Sequence, residues 1–149
     1  HQRIKDVLEQ NTEQSEDFKI IAINQDAIEA MVQMKIALND GEYVCFNGDR
    51  YVDSSRVYQT EFMGAEAAFP IGPFKIASRC GVPVVFYYSM RESGRRYRFI
   101  FEEPVIEGKV SAEELIRQYV ASLERVVSRY PSQWFNFYDF WTNNYSKDK

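Results

Sequence analysis

Four groups of residues in this chain carry types and spacings that could do chemistry. Gly48-Asp49-Arg50 places a carboxylate and a guanidinium in a turn just after an apolar stretch. That is where open α/β sheets put their ligand contacts. Arg50 could pair with a phosphate or carboxylate through two parallel N–H bonds, with Asp49 holding it in place. The bland alternative is a turn with a surface ion pair. Phe62 to Val85 reads F-M-G-A-E-A-A-F-P-I-G-P-F-K-I-A-S-R-C-G-V-P-V-V. Its Gly72-Pro73 opens a short helix, and the free backbone donors at a helix start attract anions. Gly64 and Gly72 would let backbone approach a ligand closely, Phe62 and Pro70 flank them, and Lys75 adds a cation. The competing role for this stretch is a tight connection between strand and helix. The segment from Trp134 to Trp141 is rich in aromatics that could meet a membrane headgroup zone. A cap packed over the core explains the same composition more simply. Finally, His1 and Asp6 lie five residues apart; on a helix those five steps would put Asp6 about 140° around from His1, on another face. His1 is the only histidine in the chain, and no Ser, Cys or Asp falls in a recognisable triad.

The elements that must position these residues follow from periodicity. Ile4–Glu9 ends a helix and a polar linker covers 11–17. Phe18–Ile23 is a buried strand. Asp26-x-x-Glu29 is a capping box for a helix running to about Asn39, with Ile28, Met31, Val32 and Leu38 on its inner side. Glu42–Phe46 is a further strand, and residues 51–70 are loop or irregular strand. A helix runs from Gly72 to Arg79, closed by Gly81. Pro83–Met90 and Arg96–Glu102 are two strands joined around Ser93-Gly94. Ser111-x-x-Glu114 opens the clearest helix, with Ala112, Leu115, Ile116, Tyr119, Val120, Leu123, Val126, Val127 and Tyr130 on one face. Pro131 ends it. This alternation predicts an α/β fold, a mixed sheet with helices packed on its faces.

Composition sets outer bounds. The 149 residues, 45% of them hydrophobic, suffice for one core, so residues 1–149 are expected to form a single α/β domain. The longest apolar run, Val82–Tyr88, is far short of the ~20 residues that span a bilayer. The absence of an initiator Met before His1-Gln2-Arg3 suggests a segment of a longer protein. Cys45 and Cys80 lack metal-ligand spacing and are expected to be reduced core thiols. No metal site is expected. The chain carries a net charge of −4, yet residues 71–100 hold Lys75, Arg79, Arg91, Arg95, Arg96 and Arg98 against the single acid Glu92. These bases, with Arg50, are expected to form one positive face near the Gly72 helix start, suited to lipid phosphates or an acidic carrier protein. Nucleic acid is an unlikely partner for a chain of this charge that lacks a recognisable nucleic-acid motif.

The ordered set G-D-R, F-x-G-x-x-A-x-F-P-x-G-P-F-x-I-A, G-V-P-V-V and P-x-Q-W-F resembles the bacterial lipid A biosynthesis acyltransferases, over about Asp26 to Trp141. Those enzymes add a fatty acyl chain to a lipid acceptor. The resemblance implies a partial acyltransferase domain, the C-terminal portion, with the histidine motif H-x-x-x-x-D/E lying upstream of these residues; His1 to Asp6 match that pattern letter for letter, but no strand precedes them and the match is read as accidental. Without that base, residues 1–149 alone are expected to be inactive. It implies Asp49, Arg50, Phe62, Gly64, Pro70 and Gly72 as substrate-contacting positions, and Lys75 is a further candidate for anion contact. It further implies an acyl carrier protein or coenzyme A thioester as donor with no bound cofactor, a lipid A-type or lysolipid acceptor, and a place on the cytoplasmic face of the bacterial inner membrane. Arg50 stands where the family often has Gln, and Asn136-Phe137 replaces the commoner second Trp. A different class remains open: a non-catalytic α/β binding or interaction domain keeping the family shell.

Overall fold

The computed structural model describes residues 21, 27–51, 56–136 and 140–141. The Ile4–Glu9 helix, most of the Phe18–Ile23 strand and the Asp26 half of the first capping box lie outside them. The chain divides into two compact units, His1–Val44 and Cys45–Lys149.

In the first unit, α1 spans Ala27–Asn39. It stops where the sequence places the stop, at Asp40-Gly41. There Glu42 N–H reaches back to Ala37 O (2.9 Å) and Gly41 N–H to Leu38 O (3.3 Å). This pair of bonds satisfies the last free carbonyls of a helix. The inner side differs from expectation: Ala30 and Met34 are buried, whereas Ile28, Met31 and Val32 are exposed. Glu42–Phe46 joins no strand ladder among the described residues.

The second unit is an α/β arrangement, as the alternation of elements predicts. Its strands are β1 (Val57–Phe62), β2 (Ala65–Pro70), β3 (Phe86–Arg91) and β4 (Tyr97–Glu102), and its helices α2 (Gly72–Cys80) and α3 (Ala112–Arg129). The strand pairing found among the described residues is local: two antiparallel two-stranded sheets, β1–β2 and β3–β4. The first is a regular hairpin where loop or irregular strand is expected over 51–70. Phe62 pairs with Ala65, so Met63-Gly64 is a two-residue turn with φ of 54° and 82°. That is the mirror-image turn whose twist suits a hairpin. Methionine at its first position and the alanines of β2 conceal the signal, because neither is a usual hairpin residue.

Helix α3 is the hub. It packs against α2, β1 and β3. Ser111 caps it, its Oγ accepting from Glu114 N–H at 3.1 Å, while the Glu114 carboxylate turns to Arg117 and Gln118. Ala112, Leu115, Ile116, Val120, Leu123, Val126 and Val127 are buried as their spacing requires. They join Phe62, Phe69, Phe74, Phe86 and Tyr88 in one core cluster. Tyr119 and Tyr130 are partly buried against that cluster. Side-chain amides tie the remaining segments to the frame. Gln118 forms a paired clamp on the backbone of Val105, accepting from its N–H at 2.7 Å and donating to its carbonyl at 3.0 Å. The two cysteines are not core thiols: both are free and exposed.

A buried polar pair sits within this apolar frame. Tyr88 donates its hydroxyl to Ser122 Oγ at 2.9 Å, so Ser122 is buried with a partner, as buried hydroxyls must be. Burial pushes the Tyr88 hydroxyl up from its ordinary value to about 12. The unfolded chain would therefore release this proton first as pH rises. The Tyr88 contribution to stability is intact below about 10 and declines as pH climbs toward 12. Urea unfolding across that range should show an alkaline loss that is smaller in the Tyr88→Phe/Ser122→Ala pair. An identical alkaline limb in both proteins would place the titration elsewhere.

Candidate functional site

The loop after Val44 meets the segment after α3. Gly48 and Asp49 form the turn expected of them. Asp49 Oδ2 accepts from Trp134 Nε1 at 3.2 Å and lies 3.1 Å from Arg50 Nη1. Arg50 Nη2 donates to the carbonyl of Phe135 at 2.8 Å. The carboxylate is the more sheltered partner: the Asp49 side chain is 18% exposed and that of Arg50 38%. The Gly-Asp-Arg and Pro-x-Gln-Trp blocks, far apart in sequence, thus close on each other.

Each remaining residue of those blocks has a physical task. A Cβ on Gly48 would come within 2.6–2.9 Å of the Tyr119 ring, closer than side-chain carbons approach. Tyr119 cannot easily retreat, since its ring is wedged against Phe74 (5.5 Å) and Phe86 (5.4 Å). Burial, followed by the Asp49 charge, pushes its hydroxyl far above the ordinary tyrosine range. Pro131 begins a 3-10 turn, Pro131–Gln133. From it Gln133 accepts from Arg91 N–H at 2.7 Å and donates to Arg91 O at 2.8 Å, docking the turn on the end of β3. Gly48→Ala should consequently cost about 1–3 kcal/mol through overpacking, and Gly48→Ala/Tyr119→Ala should lose less than the sum of the single changes. Strict additivity in urea titrations would deny the contact.

The other sequence candidates fall into separate places. Phe62 is fully buried, its ring 5.2 Å from Trp134 and 5.6 Å from both Phe69 and Phe140. It reaches the Asp49 region through the indole. Among the described residues of the aromatic segment, Trp134, Phe140 and Trp141 accordingly cap the core, while Phe135 is exposed. Trp134, Phe140 and Trp141 pack together, and Trp141 Nε1 donates to Phe62 O at 2.9 Å. Pro70 is buried and pairs with Val57. Gly64 and Gly72 bracket β2, about 20 Å apart at the usual strand rise, so one small ligand cannot touch both. A side chain at either glycine would meet open space. Gly72 opens α2 as the sequence implies, and Gly81 closes it. Lys75 is exposed and lines a groove of about 350 Å³ with Ser78, Arg79, Lys109, Ser111 and Glu113.

The basic residues do not form one face. Lys75 and Arg79 share their groove with the N-terminal turn of α3. Arg91, Arg95 and Arg96 surround the β3–β4 turn, whose base is held by Gln133 and Tyr130 beyond the other end of α3. The helix has 18 residues, a length of about 27 Å, several times the screening distance at physiological salt. Arg98 turns to Glu92 at 2.7 Å. Gln133, Trp134 and Tyr119 are the residues that sequence reasoning did not carry to the site. The first two were signalled by the Pro-x-Gln-Trp spacing, and Tyr119 by nothing beyond its place on the helix face. Among the described residues, no group of three or more His, Cys, Asp or Glu could hold a metal ion. None of their helices is long and apolar enough to cross a membrane.

What the fold and these contacts define is an α/β unit with a carboxylate–guanidinium pair seated against its aromatic core. The chain belongs to the bacterial lipid A biosynthesis acyltransferase family, whose model matches residues 4–143. No curated protein matches the chain.

Proposed function

We propose that the chain forms part of a lipid acyltransferase. It would move a fatty acyl group from an acyl carrier protein or coenzyme A thioester to a lipid A-type or lysolipid acceptor at the cytoplasmic face of the bacterial inner membrane. The observation that carries this reading is the family match over residues 4–143. The junction of Asp49, Arg50 and Trp134 supports it by showing that two family-like blocks close on each other. A general base supplied from outside residues 1–149 takes the proton of the acceptor hydroxyl or amine. The acceptor atom attacks the thioester carbonyl, cationic or backbone donors hold the oxyanion, and the thiolate leaves and is protonated. Arg50 is the group proposed to face substrate anions, with Asp49 and Trp134 fixing its direction. The Gly72 helix start and Lys75 are proposed as a second anion contact. Phe62, Gly64 and Pro70 are proposed to shape the cleft through the hairpin and its core.

The reading is tested by assaying the full-length protein with acyl carrier protein and coenzyme A thioesters against lipid A-type and lysolipid acceptors. Product expected from at least one pairing would be missing if the domain is only a binding module. Residues 1–149 alone should give no turnover. Turnover that disappears on His1→Ala would instead make His1 the base.

A further inference from the structure

The outer face of the β3–β4 hairpin exposes four large aromatic side chains to water. The strand register pairs Tyr87 with Phe101, Ser89 with Phe99 and Arg91 with Tyr97. Alternation puts these six side chains on one side of the sheet. Tyr87, Tyr97, Phe99 and Phe101 are each more than half exposed. Tyr87 lies against Phe99 (6.0 Å) and Phe101 (5.2 Å), so the rings form one continuous patch. Large exposed apolar patches mark interaction surfaces, unlike single exposed hydrophobics. The opposite face, with Phe86 and Tyr88, is already buried in the core.

Charge favours an anionic partner. None of the six residues on the face is acidic. Arg91, Arg95 and Arg96 cluster at the hairpin tip, with Arg91 donating to Gly94 O (3.0 Å) and Arg96 to Ser93 Oγ (2.6 Å). These bonds leave the positive charges in place. The nearby acid, Glu92, is turned to Arg98 and Tyr130. A second copy of the chain, docked by a two-fold contact, would present the same face with no acid on it, and so offers the arginines no counter-charge. An anionic lipid surface offers phosphates to the arginines and hydrocarbon to the phenylalanines. The tyrosines carry a polar end suited to the headgroup layer. A flat two-stranded face also needs no complementary pocket on such a partner.

We infer that the outer face of the β3–β4 hairpin is a docking surface for anionic membranes, with Phe99 and Phe101 entering the interface and the Arg91/Arg95/Arg96 tip holding lipid phosphates. The choice of a lipid surface rests on the acyltransferase reading; the patch itself does not.

The test is vesicle flotation of the 149-residue chain with phosphatidylcholine vesicles, with and without phosphatidylglycerol. Binding should require phosphatidylglycerol and weaken at high salt. Phe99→Thr/Phe101→Thr keeps strand-forming residues and should lower binding roughly tenfold or more, given the apolar area removed. Arg95→Glu/Arg96→Glu should lower it as much or more, with the circular dichroism of both variants unchanged. The inference is overturned by equal binding of wild type and both variants, or by no binding to phosphatidylglycerol. It is also overturned by wild-type dimers that the Phe99/Phe101 change dissolves, or by tyrosines 87 and 97 shielded from chemical labelling without lipid. Acyl transfer by the full-length protein to a detergent-dispersed acceptor should survive Phe99→Thr/Phe101→Thr. Lost vesicle binding with intact turnover would leave the enzyme reading standing, so the two can fail separately.

Discussion

Phe62→Ala should lower folding stability by about 3–5 kcal/mol, the range for deleting a buried aromatic ring. Phe62 is fully buried, and four rings lie around it: Phe69, Trp134, Phe140 and Trp141. Removing it opens a cavity that stiff aromatic neighbours fill poorly. It also loosens the β1–β2 hairpin and the indole that holds Asp49. Against a total of about 5–15 kcal/mol for a domain, such a loss populates unfolded chain near physiological temperature. Phe62→Leu, closer in volume, should cost clearly less. Urea titration of the wild type and both variants gives the numbers. A Phe62→Ala protein as stable as the wild type, but defective in acyl transfer, would show that the side chain serves the reaction directly and that the surrounding rings repack.

The Phe62 case shows where the sequence speaks and where it is silent. A phenylalanine next to a glycine-shaped loop reads equally as cleft wall or as core, because burial is not written in residue type. The long apolar stripe of α3 was legible, since eighteen residues of one periodicity leave little room for another pattern. So were the β3–β4 hairpin around Ser93-Gly94 and the limits of α2 between Gly72-Pro73 and Gly81, each marked by backbone-specific residues. The β1–β2 hairpin was not. Its turn uses Met63, and half of its second strand is alanine. The exposed residues Cys45 and Cys80 were misread for a similar reason: a small apolar residue is at home on either side of a surface. At the site, the turn of Gly48-Asp49-Arg50 was legible but its partners were not. Nothing local to Asp49 announces that Trp134 donates to it, or that Gly48 is glycine because Tyr119 stands where a Cβ would go. The single positive face failed because charge order along the chain says nothing of the length of α3 between the two groups.

Asp49→Asn should lower acyl transfer by the full-length protein while leaving its fold nearly as stable. The asparagine keeps the shape of the side chain and an oxygen that can still accept from Trp134 Nε1. What it removes is the charge facing Arg50 at 3.1 Å. The bond from Arg50 to the Phe135 carbonyl at 2.8 Å would remain, with less to fix the direction of its fork. If Arg50 meets a substrate anion, losing one charge-assisted contact that orients it corresponds to about 1.5–3 kcal/mol, or roughly a ten- to hundredfold fall in kcat/KM. Stability should change by no more than about 1 kcal/mol, because the pair is part-exposed and screened. Trp134→Phe makes the complementary change, keeping a ring beside Phe62 while deleting the N–H donor. It should lower turnover in the same direction, with a further loss of stability from the smaller ring. Asp53→Asn, beyond the Gly-Asp-Arg turn, is the control and should alter neither property. Activity and melting temperature measured on all three variants separate the outcomes. Unchanged turnover in Asp49→Asn, or a large fall in melting temperature without a selective loss of rate, would make the carboxylate a strap between two segments of the fold and remove Arg50 from the proposed substrate contact.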